Sequence, residues 1–267
     1  MKQRLITGII AGGGFLGLCL AGGIWYHGLV LVMALIGFYE FVRMTKTPAF
    51  GGTAVIGYLG VLYVVFPWKL LGLDMPLNLL SVFWLLMLLF LVVTVVSKNG
   101  IPIGQVALLF LGMVYVGVGF AYLADTRSTA DGHGLFWTFL MLASIWSSDA
   151  GAYFVGRRFG KNKLWPAISP NKTVEGAIGG IICAVIVAVI FALASGGLLT
   201  IGRALILGVS AAVVGQMGDL IQSAYKRVYG IKDSGNLLPG HGGILDRCDS
   251  WIAVFPFVHI LSLLPVF

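Results

Sequence analysis

Charge is scarce in this chain. Among 267 residues there are 17 Lys or Arg and 10 Asp or Glu, so 10% are charged, against about 25% in an average soluble domain. That shortage excludes an ordinary water-soluble fold. Cysteine is scarce as well: Cys19, Cys183 and Cys248 are scattered and odd in number, which suggests neither a disulfide framework nor a zinc site. No internal repeat, low-complexity tail or separate soluble domain is apparent. The stretch 156–161 lacks Walker spacing, no dinucleotide fingerprint follows a soluble strand, and no Ser-His-Asp or Cys-His arrangement stands out.

What is present is hydrocarbon. Hydrophobic residues make up 59% of the chain, and apolar runs of roughly 20 residues recur, each long enough for a core of about 30 Å. Helices are expected at 5–25, 28–43, 53–72, 77–97, 103–124, 134–155, 174–196, 202–224 and 250–267. The first resembles a signal peptide but lacks a small-residue cleavage site, so it is kept as a span. The weakest are 28–43, which ends near Glu40 and Arg43, and 250–267, which contains Pro256 and Pro265. Glu40 is expected to snorkel or to pair with Arg43 at the interface. The 38 glycines suit close helix–helix contact in lipid.

Basic residues orient this array. With the N-terminus in the cytoplasm, nine spans leave only Lys69, Arg127 and Arg203 outside and the other 14 basic residues inside, following the positive-inside rule. Losing one early span would reverse every later loop and destroy the bias. The fold class is therefore all-α: a polytopic integral membrane helix bundle of about nine transmembrane helices, N-in and C-out. The net charge of +7 then reflects topology and anionic ligands near the bilayer rather than nucleic acid. Residues 1–130 read as transmembrane scaffold and 131–267 as the region carrying polar chemistry, within one continuous membrane domain. The two rich loops, near 156–173 and 225–249, both face the cytoplasm in this topology.

Four of the ten acids (Asp219, Asp233, Asp246, Asp249) fall within positions 218–249. Charge beside a bilayer is costly and tends to be functional. Asp219 falls near the C-terminal end of the eighth span, with Gln222, Ser223 and Lys226 on or near its face. Asp246 and Asp249 are three apart where the ninth helix should begin, a place that the helix dipole favours for carboxylates. The dipole disfavours Asp219, so a hard-oxygen site for Mg²⁺ built from Asp219, Asp246 and Asp249 is the sharper reading. Between them Lys226, Arg227, Lys232, His241 and Arg247 alternate with glycines, which free backbone N–H groups to face an anion. A solvated basic loop explains the lysines but not the His-Gly-Gly run or the acids. Such equipment suits phosphoryl or nucleotidyl transfer.

Two further constellations stand out. Asp149, in W-S-S-D-A-G-A-Y from Trp146, lies inside the sixth span and is expected to face a polar cavity; pairing with a buried cation is the structural alternative. S-P-N-K-T-V-E-G from Ser169 opens the seventh span. Capping is a complete explanation for Thr173 and Glu175, and it leaves Lys172 as an anion contact beside a helix N-terminus. His27, His133 and His259 are isolated and read as structural.

From Ser223 to Asp249 the chain resembles the signature of the phosphatidate cytidylyltransferases, or CDP-diacylglycerol synthases. The landmarks are S-x-x-K-R (Ser223, Lys226, Arg227), K-D-x-G (Lys232, Asp233, Gly235) and P-x-H-G-G-x-x-D-R-x-D (Pro239, His241, Gly242, Gly243, Asp246, Arg247, Asp249). D-A-G-A-Y-F-x-G-R from Asp149 and the segment from Ser169 are similar to the same family, so the likeness covers the C-terminal half. Asn171 departs from it, since a Lys is common before the Lys-Thr pair.

The resemblance implies that CTP and phosphatidic acid give CDP-diacylglycerol and pyrophosphate in phospholipid biosynthesis, with Mg²⁺ and room for a second cation. It implies a catalytic set of Lys226, Arg227, Lys232, Asp233, His241 and Arg247, substrate contacts from Asp149, Ser169, Lys172, Thr173 and Ser223, and metal ligands Asp219, Asp246 and Asp249. His241 either donates a hydrogen bond or marks a plain turn. The partners are CTP, phosphatidic acid and the lipid bilayer of a bacterial inner membrane, with the site facing the cytoplasm; a homodimer is admitted and nucleic acid is not. A CDP-alcohol phosphotransferase would need spaced aspartates on one helix, and a transporter would need polar residues through the midplane of several helices.

Overall fold

The computed structural model describes residues 2–237, 240 and 242–265, with the side chains of residues 2–5 left aside. Its described residues form nine α-helices: α1 (Lys2–Ala21), α2 (Gly23–Met44), α3 (Gly52–Val65), α4 (Leu79–Val96), α5 (Ile103–Thr126), α6 (Gly134–Phe159), α7 (Val174–Ala194), α8 (Ile201–Val228) and α9 (Leu245–Ile260). The all-α expectation holds apart from a hairpin of β1 (Lys163–Trp165) and β2 (Ser169–Thr173). Five helices, α2, α4, α5, α7 and α8, are long and apolar enough to cross a membrane. The apolar part of α1 (Ile6–Ala21) and α3 are shorter.

The third and ninth helices differ most from the expected spans. The third helix stops at Val65 rather than near 72, because Phe66 precedes Pro67 and takes extended angles (φ −61, ψ 133). The chain then makes a short 3-10 turn at Lys69–Leu71, closed by Gly72 at φ +67. The last helix begins at Leu245 and ends at Ile260, where Ser262 has turned to φ +53.

The chain divides into two compact units, Met1–Ala124 with Asp233–Arg247, and Asp125–Lys232 with Cys248–Phe267. In the first, aromatic side chains fill hollows left by glycines. A Cβ at Gly57 would strike the Phe38 ring, one at Gly60 would lie 2.9 Å from Met113 Sδ on α5, and one at Gly112 would strike Phe41. Phe38, Phe41 and Met113 are accordingly fully buried or nearly so. Adding a methyl at these positions forces the helices apart, a cost of about 1–3 kcal/mol each. Here Arg43 turns to the Tyr39 hydroxyl, at 3.3 Å, and not to Glu40.

The second unit packs α6, α7 and α8 through small residues. One stripe of α7 (Gly176, Gly179, Gly180, Ala184, Ala188, Ala192) is buried, while Ile178, Ile182, Ile186 and Ile190 are each more than half exposed. An apolar stripe that faces outward and small residues that face inward are what packing in lipid selects. Cβ atoms at Gly176 and Gly208 would lie 2.7 Å from the Ala152 carbonyl and the Val185 Cα, so backbone meets backbone.

Candidate functional site

In the second unit the polar residues sit where these close approaches bring helix ends together. Gly218 is the pivot: a Cβ there would lie 2.5 Å from the Asp249 carbonyl oxygen and 3.1 Å from the Ser250 Cα. Its missing side chain therefore lets α8 and α9 touch at the level of Asp219 and Asp249. The Ser250 hydroxyl reinforces the contact by donating to the Gly215 carbonyl at 3.0 Å. On the opposite side of α8, the Gln216 amide donates to the Ala177 carbonyl at 3.2 Å and to the Ser148 hydroxyl at 3.4 Å. One side chain thus spans three helices.

Asp219 is held at both oxygens. Lys172 Nζ lies 2.6 Å from Oδ2, and the Ser223 hydroxyl, one turn along α8, donates to Oδ1 at 3.2 Å. Lys172 arrives from β2, and its ammonium also reaches the Gln216 carbonyl at 3.5 Å. Asp149 on α6 lies within electrostatic range of both Asp219 and Lys172. Asp249 feels Asp219, Lys226 and Asp149, and its Oδ1 accepts the Ser250 N–H at 2.8 Å. Three carboxylates from three helices, interleaved with two lysines, make a mixed-charge cluster. The Asp149 side chain is accessible to solvent beside this cluster.

The hairpin that delivers Lys172 leaves no signal in the sequence, because two strands of three and five residues are too short to show alternation. Its register pairs Lys163 with Thr173 and Trp165 with Ser169, with an irregularity between. Thr173 caps α7, its hydroxyl accepting the Gly176 N–H at 3.1 Å. Glu175 accepts from the Lys161 and Asn162 backbone and from Asn162 Nδ2 at 2.8 Å, which ties the end of α6 to the start of α7. Arg227 donates from Nε to the Ile168 carbonyl at 3.2 Å and from Nη1 to the Ile231 carbonyl at 3.4 Å, so it braces the hairpin turn next to Ser169. Lys232 is exposed.

The first unit holds the remaining signature residues. Asp246 Oδ2 accepts the backbone N–H groups of Ser234 at 2.8 Å and Gly243 at 2.9 Å, closing the loop across its own neck. Asp233 and Arg247 are exposed. Pro239 and His241 lie outside the described residues. Glu40 corrects the interfacial expectation: it is 3% exposed and accepts from the Ser234 hydroxyl at 2.9 Å, the Ile244 N–H at 2.9 Å and the Leu245 N–H at 3.0 Å. Its signal in the sequence was its isolation, a lone acid in an apolar run.

Metal fit follows from donor chemistry. Among the described residues no group of three or more His, Cys, Asp or Glu side chains is arranged to hold a metal ion. Mg²⁺, however, is commonly bound through one or two carboxylates together with substrate phosphates rather than by an all-protein cage. Asp219 and Asp249 are donors of that kind, and Asp219 already holds a cation in the Lys172 ammonium.

Comparison with known proteins adds the remaining finding. The model of the cytidylyltransferase family matches residues 2–264. The chain is similar to the phosphatidate cytidylyltransferase of Bacillus subtilis, with 40% identity over 262 residues, 98% of this chain and 97% of that one. It is similar to those of Staphylococcus saprophyticus, at 40% over 261 residues and 98% of each chain, and Staphylococcus haemolyticus, at 39% over 262 residues and 98% of each.

Proposed function

The chain belongs to the cytidylyltransferase family, and from that premise we propose that it condenses CTP with phosphatidic acid to give CDP-diacylglycerol and pyrophosphate. The reaction takes place at the cytoplasmic face of a bacterial inner membrane, in the N-in, C-out topology that places the polar loops inside. The observation that carries this reading is the Lys172–Asp219 pair within a cluster that also holds Asp149, Asp249 and Lys226. A lipid phosphate lies at headgroup depth and CTP arrives from water, so the site must serve both phases.

A phosphatidate oxygen, already anionic at neutral pH, attacks the α-phosphorus of CTP. The new P–O bond forms as the bond from the α-phosphorus to the oxygen bridging to the β-phosphate breaks, and its electron pair leaves with pyrophosphate. No proton need be removed from the nucleophile, so the work of the protein is positioning and charge compensation. Lys172 and Lys226 supply positive charge beside the carboxylates, and Lys232, exposed in the same unit, adds to it. The Ser223 hydroxyl and Lys172 hold Asp219 in place. Asp219 and Asp249 are the carboxylates that would hold Mg²⁺, which when bound would offset phosphate charge. Asp246 shapes the loop through its two N–H contacts.

The test is purified protein in detergent with labelled CTP and phosphatidate. A lipid-soluble cytidine nucleotide should form, and EDTA should abolish it. Label that stays wholly in the aqueous phase with Mg²⁺ present would refute the reading. The aspartates of the cluster stand on three helices rather than one, unlike the pattern that a CDP-alcohol phosphotransferase requires.

A further inference from the structure

We propose that Glu40 is a positioning residue: from within α2 it fixes Ser234, Ile244 and Leu245, and so anchors the signature segment near both of its ends. The inference deepens the reading above and rests on it for its activity arm, though not for its structural arm.

The geometry is specific. Glu40 is buried, and each carboxylate oxygen is engaged: Oε1 accepts the Ile244 N–H, and Oε2 accepts the Leu245 N–H and the Ser234 hydroxyl. The two amides belong to the entry of α9, where N–H groups have no partner within the helix. A carboxylate on them meets both the hydrogen-bonding need and the helix dipole. The lock is shaped as well as charged. A Cβ at Gly235 would lie 2.6 Å from Glu40 Oε1, and one at Gly243 would collide with Oε2, so two glycines of the signature segment make room for this side chain. One turn earlier on α2, Gly37 receives Leu245, whose Cδ2 would lie 3.1 Å from a Cβ at that position.

A second carboxylate completes the device. Ser234 donates its hydroxyl to Glu40 and its backbone N–H to Asp246, while Gly243, adjacent to Ile244, donates its N–H to Asp246. Both ends of the loop between Ser234 and Gly243 are therefore fastened to carboxylates, one in the first turn of α9 and one on α2. Apart from these contacts, nothing in the reaction calls for an acid inside α2. A carboxylate in an apolar helix is costly to keep unless it is fully hydrogen-bonded, as Glu40 is.

The experiment compares wild type with Glu40→Gln and Ser234→Ala in detergent, using hydrogen exchange and steady-state kinetics. Glutamine offers one carbonyl oxygen and sets an N–H₂ against backbone donors. Exchange at Ile244 and Leu245 should therefore speed up by about tenfold or more. Ser234→Ala, which removes one contact, should give a smaller increase of about threefold. If the lock positions the signature segment for the reaction, Glu40→Gln should lower kcat by about tenfold or more with KM for phosphatidate nearly unchanged. A purely structural role would lower the amount of folded enzyme and leave kcat per folded molecule intact. Unchanged exchange in both variants overturns the lock. Faster exchange with wild-type kcat per folded molecule overturns the positioning role. Should Glu40→Gln fail to fold, Ser234→Ala decides by the same two measurements. Wild-type protein without CTP turnover would defeat the proposed function instead, and the exchange result would still decide the lock.

Discussion

Removing either partner of the Lys172–Asp219 pair should cost far more activity than removing the second partner afterwards. The charges approach to 2.6 Å, where the bare attraction at an effective dielectric of about 20 is about 6 kcal/mol. The side chains are 25% and 35% exposed, so solvent screening and the cost of desolvating both groups remove most of that. A coupling of about 1–2 kcal/mol remains, equivalent to roughly 5- to 30-fold in a rate or equilibrium constant. The assay is a double-mutant cycle in kcat/KM for CTP, with Lys172→Met, Asp219→Asn and the combined variant, each verified as folded in detergent. Each single change should lower kcat/KM by about 100-fold, the usual loss when one preorganised charge is deleted. The combined variant should be less impaired than the product of the two losses by that 5- to 30-fold factor. Losses that multiply cleanly would show that the two groups act independently, and the ion pair would lose its place at the centre of the site.

Other expectations follow from single contacts. Gly218→Ala should push α9 from α8, because the new methyl would lie 2.5 Å from the Asp249 carbonyl; we expect a loss of about 1–3 kcal/mol, seen as a lower Tm in detergent, and an unaltered Tm would contradict the packing. Thr173→Ala removes the α7 cap and should cost about 1 kcal/mol, with Thr173→Ser restoring most of it by thermal melting. Asp131 lies in the connection before α6, where burial raises its pKa but hydrogen bonds from Trp137, Thr129 and His133 outweigh it and hold the carboxyl below its ordinary value of 3.8. A depressed folded-state pKa gives stability that is complete above the unfolded value and is lost as pH falls through the folded one. Wild type should therefore lose Tm more steeply than Asp131→Asn below about pH 4; parallel curves would remove Asp131 as a cause.

Much of the helical array was legible because hydrophobic length is a coarse, robust signal in a membrane chain. Helices expected at 103–124 and 174–196 appear at Ile103–Thr126 and Val174–Ala194. What misled at the third helix was a proline whose effect falls on the residue before it: Phe66 is apolar and continues the run, yet cannot continue the helix. At the ninth, the start moved to Leu245 since the helix entry is stabilised by a side chain 205 positions away. No local reading finds such a partner. The hairpin escaped for a different reason, being held by Glu175 and Arg227 rather than by any pattern of its own.

A carboxylate in or beside an apolar helix is costly wherever it stands. Asp149, Asp219 and Asp249 bear that cost, and the second unit does bring them within range of one another and of two lysines. The same cost falls on Glu40, although Arg43 stands three residues on. Spacing alone favoured that pairing; depth did not. Near a helix end both long side chains reach water, where an ion pair is worth little. In the interior the backbone amides of an incoming helix make better donors, since they need a partner as much as the carboxylate does. The useful question for an acid in an apolar run is therefore which unsatisfied donors elsewhere in the chain require it. In this protein those donors lie at the entry of α9, next to the residues most similar to the family signature.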